Sequence, residues 1–235
     1  MLDSAALRAR LNGVRERIAR AADRARRDPA TIRLVAVSKT FSPDHVRAAA
    51  DHGQIDFGEN KVQEALDKMD RTAGLPLRWH LVGHLQSNKA KKAGARFDTI
   101  HSVDGPDLGV KLELAAVAAD RPLELLVQVD LAREATKHGA SEGDLMSVFA
   151  AARTWRGARL TGLMLLPPAA ENPEEARPYF RELQAVRERL LARGADRSML
   201  TELSMGMSHD FDVAVEEGAT LVRVGTAIFG SRTYL

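Results

Sequence analysis

IRLVAVSK, residues 32–39, reads as a single β-strand that carries a primary amine at its far end. In an extended chain successive side chains point to opposite faces, so Val35, Val37 and Lys39 share one side by period-two alternation. An ammonium that follows two branched aliphatic residues on one face is expensive to bury without a partner. The usual escapes are a lowered pKa, an ion pair or a covalent adduct. Two readings stand at this point: Lys39 is the first solvated residue beyond the strand, or its amine is directed into a site.

Working outward, residues 2–27 mix Leu, Val, Ile and Ala at helical spacing with many arginines, and Asp28-Pro29 stops them. Those arginines alternate with Asp and Glu, which predicts a solvated helix face. After the strand, Ser42-Pro43-Asp44 resembles an N-cap with proline at the first helical position, and a helix is expected to Gly53. The same alternation continues along the chain. Strands are expected over 55–60, 78–84, 99–103, 123–131, 160–166, 199–203 and 221–224. Helices are expected over 61–70, 87–95, 106–119, 142–153, 173–193 and 210–217, with a polar loop over 133–139. Eight strand-like runs, each followed by helix except the last, imply a parallel sheet and match a closed barrel better than an open doubly wound sheet. No linker or composition shift divides the 235 residues, so one domain, residues 1–235, is expected: a (β/α)8 TIM-like barrel with an extra N-terminal helix, which would cover the barrel floor or meet a partner.

Composition narrows the function classes. The chain is 45% apolar and 28% charged, ordinary for a globular protein, and its formal net charge is only +2, so a nucleic-acid partner is not expected. It has no cysteine, which excludes disulfides, thiolate metal sites and cysteine nucleophiles. No apolar run suggests a membrane span and no signal-peptide core is visible, so a cytoplasmic location is expected.

Barrels of this kind hold ligands at the C-terminal ends of their strands, with phosphate groups favoured by the loops after strands seven and eight. Here those loops read Ser204-Met205-Gly206-Met207-Ser208 and Gly225-Thr226. Glycine lets backbone amides approach an anion, and the Ser and Thr hydroxyls add donors. Ser208 also stands where it would cap the helix ending before Gly218. Arg223, two residues before Gly225, shares its face and either points into the barrel near Lys39 or pairs with a core carboxylate such as Glu202. An amine, a phosphate cup and an inward arginine at one rim are what a phosphorylated aldehyde requires. Pyridoxal 5'-phosphate (PLP) is such a molecule.

Several blocks carry a resemblance to a known family: LVAVSKT around Lys39, FGENKVQEAL from Phe57, WHLVGHLQSNK from Trp79, EATKHG from Glu134, GLMLLPP from Gly162, and LSMGMSHDFDVAVEEGATLVRVGTAIFGSR from Leu203. The chain resembles the pyridoxal phosphate homeostasis proteins, whose fold-type III barrel is shared with the N-terminal domain of alanine racemase. The resemblance implies that Lys39 forms the Schiff base with PLP. Ser204, Gly225 and Thr226 would then hold the phosphate with the turn of Gly206, Met207 and Ser208, Asn60 and Met207 would lie beside the ring, and Arg223 would face the pyridine nitrogen. A cation there disfavours ring protonation and weakens the electron sink. This fits a family that buffers or delivers vitamin B6 cofactor, with apo-PLP enzymes as partners, a monomeric or weakly dimeric state, and no established catalysis.

Two positions depart from the family pattern: Gln128-Val129-Asp130 replaces a Val-Asn pattern, and His84 stands where some members have proline. His80 and His84 suggest metal only superficially, because residues four apart on a strand are separated by roughly 13 Å. Gly-rich dinucleotide fingerprints are absent. The enzymatic alternative is a PLP-dependent racemase of the same barrel class, which would need a second acid/base group opposite Lys39. The tyrosines are Tyr179 and Tyr234, and a second domain after the barrel is not expected. A different class, a barrel for another phosphorylated metabolite with Lys39 unmodified, is the remaining alternative.

Overall fold

The computed structural model describes residues 3–131 and 139–231. The loop expected over 133–139 and the EATKHG block lie, apart from Gly139, outside the described residues, as do Arg232 and Tyr234. Eight parallel strands close into a barrel in chain order: β1 (Arg33–Val37), β2 (Asp56–Glu59), β3 (Arg78–Leu81), β4 (Thr99–Val103), β5 (Leu123–Gln128), β6 (Ala158–Met164), β7 (Glu202–Ser204) and β8 (Leu221–Val224). The ring shuts where β8 pairs with β1, placing Val35 opposite Arg223. Helices α2 (Pro43–Asp51), α3 (Val62–Arg71), α4 (Ala90–Gly94), α5 (Pro106–Ala119), α6 (Glu142–Ala152), α7 (Arg177–Ala192) and α8 (Phe211–Glu216) follow strands one to seven, and α1 (Ser4–Arg24) precedes them. The closed barrel with its additional leading helix is the architecture the strand-helix alternation implied.

Helix α1 starts at Asp3, whose carboxylate accepts the Ala6 N–H at 2.9 Å, and buries Leu7, Leu11, Val14 and Ile18 at helical spacing. It packs against α2, α8 and a short helix α9 (Thr226–Phe229). The expectation that α1 covers the floor or awaits a partner is therefore replaced by a place in the outer helical ring. Three of its arginines, seven residues apart, reach across to α8 and α9. Arg10 donates to the Ile228 carbonyl at 2.7 Å, Arg17 pairs with Asp212 and lies 4.2 Å over the Phe211 ring, and Arg24 donates to Glu216 at 2.7 Å. These side chains fasten the helix while Arg10 and Arg24 stay exposed, so the solvated-face reading holds for their exposure but missed their partners.

Other differences from the sequence reading have local causes. The strand expected over 199–203 is displaced because the Asp196 carboxylate caps a 3-10 turn, Arg197–Leu200, by accepting the Ser198 N–H; β7 begins only at Glu202. Strand β6 starts at Ala158, where the Glu113 carboxylate accepts the Gly157 and Ala158 amides and so holds the strand entry. Strand β3 stops at Leu81, leaving Gly83 and His84 in the following loop. The last strand is followed by a helix after all, α9.

Most of the core lies between sheet and helices, where outward strand residues such as Ala36, Phe57, Leu81 and Val222 meet the helical faces. Inside the barrel a second, smaller apolar cluster comprises Val35, Leu126, Met164 and Leu221. The rest of the interior includes a file of polar side chains, Asp56, His80, His101, Ser204 and Arg223, all buried. Barrels of this type are usually filled by branched aliphatic layers, so these polar residues need one another as partners.

Gly162 in β6 illustrates how tightly the neighbouring strands approach: a Cβ built there would fall 1.9 Å from the Glu202 carbonyl oxygen. The expected outcome for Gly162→Ala is a destabilisation of roughly 1–3 kcal/mol or more through forced separation of β6 and β7. Urea unfolding of the variant measures it, and an unchanged midpoint would contradict this packing.

Candidate active-site cavity

A cavity of about 470 Å3 opens at the C-terminal ends of the strands. Its wall is assembled from segments far apart in sequence. Val37 and Lys39 come from the end of β1, Asn60 from beyond β2, Val82 to His84 from beyond β3, and Leu166 from beyond β6. Met207, Ser208 and His209 follow β7, while Arg223, Gly225 and Thr226 belong to β8 and the turn after it. Lys39 is half-buried and lines this wall, so it is not simply a solvated residue beyond the strand.

The backbone on either side of Lys39 is held by a group that the sequence did not announce. Lys68 of α3 is buried, and its ammonium donates to the Ser38 carbonyl at 2.7 Å, to Glu59 Oε1 at 2.6 Å and to Glu64 Oε1 at 2.8 Å. Ser38 Oγ donates to the same Glu59 oxygen at 2.6 Å, and the Thr40 N–H donates to Glu64 Oε1 at 2.5 Å. Thr40 has φ of 70°, in the left-handed region that a β-branched residue rarely adopts. The Lys68 cluster thus stabilises an unfavourable backbone next to the cavity lysine. Burial raises the Glu59 pKa against the opposing pull of Lys68. Burial also acts upward on Glu64, but the hydrogen bonds from Lys68 and Thr40 prevail and hold its carboxyl below the ordinary range.

Across the cavity, two backbone amides converge on one point. The N–H groups of Gly225 and Ala227 donate to Ser208 Oγ at 3.1 and 3.3 Å. The expected role of Ser208 is corrected accordingly: it faces the first turn of α9, and α8 begins after Asp210 instead. An oxygen already sits where these donors meet, so the donor set suits an anion's oxygens, with the Thr226 hydroxyl beside it. The turn itself is fixed by Gly206, whose φ is +90° and whose Cβ, if present, would fall 2.5 Å from Ala214 Cβ. Asp210 accepts the Met207 N–H at 2.6 Å, and burial raises its pKa.

Of the residues singled out from sequence, Lys39, Asn60, Met207, Ser208, Arg223, Gly225 and Thr226 share the cavity wall, whereas Ser204 and Gly206 stand behind it. Ser204 is fully buried inside the barrel, where its hydroxyl meets Arg223 and His101. Nor does Arg223 pair with Glu202, which is occupied by Arg33 at 2.6 Å. Its Nη1 donates to Ser204 Oγ at 2.6 Å and its Nη2 to the Leu165 carbonyl at 2.8 Å. Burial pushes the guanidinium down to about 10, with Asp210 pulling upward.

Behind Arg223 the hydrogen bonds continue through the barrel. Ser204 Oγ lies 2.8 Å from His101 Nδ1, His101 Nε2 lies 3.0 Å from His80 Nδ1, and His80 Nε2 lies 2.9 Å from Asp56 Oδ1. Asp56 also accepts two hydrogen bonds from Arg78, at 2.8 and 2.7 Å. Burial raises the Asp56 pKa, but the bonds from His80 and Arg78 outweigh it and the net shift is downward. Burial, reinforced by the nearby His80 and Arg223, holds His101 well below the ordinary histidine range. His80 is thus committed inside the barrel while His84 lies 3.9 Å from Asp104 in the mouth, and no cluster of three or more metal-ligating residues occurs among the described residues. The sequence reading missed His101, Val82, Leu166 and His209, which strand alternation and position near the C-terminal ends of strands could have found.

Residues 9–233 match the family model of the alanine racemase N-terminal domain, and the chain belongs to that class of barrel. It is 40% identical over 225 residues to the pyridoxal phosphate homeostasis protein of Aquifex aeolicus, spanning 96% of this chain and 98% of that one. It is 43% identical over 222 residues to the protein of the same name from Pseudomonas aeruginosa, spanning 94% of each. PipY of Synechococcus elongatus, solved without and with PLP bound, superposes with TM-scores of 0.85 and 0.84 at 38% identity, covering 95% of this chain and 100% of PipY. Within the barrel class the chain is a member of the pyridoxal phosphate homeostasis protein family.

Two outcomes are expected from this geometry. Lys68→Met leaves Glu59 buried without its cationic partner, and should lower unfolding free energy by roughly 3–5 kcal/mol; urea unfolding tests it, and a neutral variant would contradict the cluster. His101 gives an acid sensitivity with a definite sign. The unfolded chain binds a proton near the ordinary histidine value of 6.5 that the folded chain refuses, so stability falls as pH drops below that value. One such proton corresponds to about 1.4 kcal/mol per pH unit. His101→Gln should flatten the decline between neutral and mildly acid pH, and an unchanged slope would place a proton on the buried ring.

Proposed function

We propose that this chain binds pyridoxal 5'-phosphate as a Schiff base on Lys39 and acts in the cytoplasm as a buffer or donor of the cofactor, without turning over amino acids. The observation that carries the reading is that Lys39 shares one cavity with converging backbone amides and with Arg223. The family name of its relatives and the PLP bound in one PipY structure point the same way. When bound, the cofactor supplies an aldehyde carbon that condenses with the Lys39 amine and releases water.

The residues present fit this group. A phosphate at the Gly225 and Ala227 amides would replace the Ser208 oxygen as their acceptor, with the Thr226 hydroxyl as a further donor. Asn60 and Met207, both on the wall of the same cavity, would flank the ring. Arg223 offers only donors, so it would meet the ring nitrogen as a hydrogen-bond partner while opposing its protonation by like charge. A ring that stays unprotonated withdraws electrons weakly, which favours storage and transfer over carbanion chemistry. Recipients would be apo-enzymes that use the same cofactor, met by a monomer or weak dimer. Tyr179 does not supply the second acid/base group that a racemase reading needs, because it lies in α7, packed against the outer core.

The test is chemical. Protein incubated with PLP should gain a visible absorbance band, and borohydride reduction followed by peptide mass analysis should place the label on Lys39. A label elsewhere, or none, would reject the assignment. With each L-amino acid in deuterated water, Cα exchange should stay far below enzymatic rates of about 1 per second. Rapid exchange with one amino acid would make the protein an enzyme.

A further inference from the structure

The buried file that ends at Arg223 has a direction. Arg223 can only donate, and the Asp56 carboxylate can only accept. With both imidazoles neutral, a single arrangement satisfies every contact between those ends. His80 donates from Nε2 to Asp56, leaving Nδ1 to accept from His101 Nε2. His101 Nδ1 then accepts the Ser204 hydroxyl proton, so Ser204 Oγ presents lone pairs to Arg223 Nη1. Each bond in the series polarises the next in the same sense, and each acceptor end faces the guanidinium. The far end is anchored as well, because Asp56 is gripped by Arg78 through two hydrogen bonds at the opposite rim.

We propose that His80, His101 and Ser204 are positioning residues that hold Arg223 as an oriented cation on the cavity wall, with Asp56 as the fixed acceptor that ends the series. This rests on the reading that the cavity takes PLP with Arg223 toward the ring nitrogen. The column has no packing reason to be polar. Five strands contribute one member each, and an aliphatic layer would fill the same interior without requiring any partner. Its orientation serves the guanidinium: two fixed acceptors, Ser204 Oγ and the Leu165 carbonyl, grip Nη1 and Nη2 and prevent the group from turning.

The experiment has one arm that needs no cofactor. In protein labelled with 15N-histidine, long-range 1H–15N spectra at neutral pH should show His80 and His101 both neutral and both protonated on Nε2. A proton on His101 Nδ1, or an imidazolium at either ring, reverses or breaks the series and overturns the proposal. The second arm uses the PLP-loaded protein. Ser204→Ala and His101→Leu should weaken PLP binding roughly ten- to a hundredfold. They should also raise the pH midpoint of the bound chromophore by about one unit, since a less firmly held cation opposes imine protonation less. His101→Gln, which supplies one donor and one acceptor, should restore both values. Circular dichroism checks that the fold persists, and should His101→Leu fail to fold, Ser204→Ala alone decides. Unchanged affinity and midpoint in a folded Ser204→Ala variant would reduce the column to a structural role and overturn the proposal. Borohydride labelling of wild-type Lys39 separates the two levels: its failure removes the PLP reading, whereas its success with an unmoved midpoint removes only this inference.

Discussion

The pairing of β8 with β1 is the constraint on which the cavity depends. Lys39 lies two residues beyond Val37 at the end of β1, and the amides of Gly225 and Ala227 lie just beyond β8, nearly two hundred residues later. An open sheet would leave these two groups at opposite edges. Closure sets Val35 opposite Arg223 and Ala36 opposite Val224, so Lys39 and the turn that carries the Gly225 and Ala227 amides leave adjacent strands in the same direction. Their approach is close enough that a Cβ at Gly225 would fall 3.2 Å from the Val37 carbonyl oxygen. Parallel pairing places both at the C-terminal rim, where the loops are free to serve a ligand.

Around this junction the protein accepts unfavourable groups and satisfies each of them. A guanidinium and two imidazoles inside a barrel carry a large desolvation penalty, and the structure meets it with a continuous set of hydrogen bonds rather than with solvent. A second buried charge system, Lys68 with Glu59 and Glu64, supports the backbone that turns through Thr40. The two systems stand on opposite faces of the sheet. One acts from inside the barrel upon Arg223; the other acts from beneath α3 upon the segment that carries Lys39.

How much of this was legible in the sequence follows from which signals are local. Strand alternation placed Val35, Val37 and Lys39 on one face, and the regular exchange of strand and helix identified the closed barrel. Turn-forming residues after the last two strands marked the rim at Met207, Ser208, Gly225 and Thr226. What escaped the reading depends on partners fixed only by three-dimensional register. Lys68 looks like any solvated helix residue until α3 docks beneath Ser38. Ser204 looks like a phosphate contact because it ends a strand beside a glycine turn, yet alternation points it inward to His101. Ser208 was assigned to the following helix, whereas the acceptor it provides belongs to α9, a four-residue element too short to announce itself. The arginines of α1 looked solvated because their acceptors on α8 and α9 lie about two hundred positions away.

The fastening of α1 to α8 and α9 bears on how the molecule comes into being. Helix α1 finds most of its surface on segments synthesised about two hundred residues after it, and β8 is also the strand that shuts the ring. Until β8 emerges, the nascent chain holds the amine of Lys39 at an unsealed edge, with neither Arg223 nor the terminal turn beside it. Late, long-range closure of this kind makes formation slow relative to local helix folding. A chain stalled before β8 would therefore possess the Lys39 amine without the completed cavity around it.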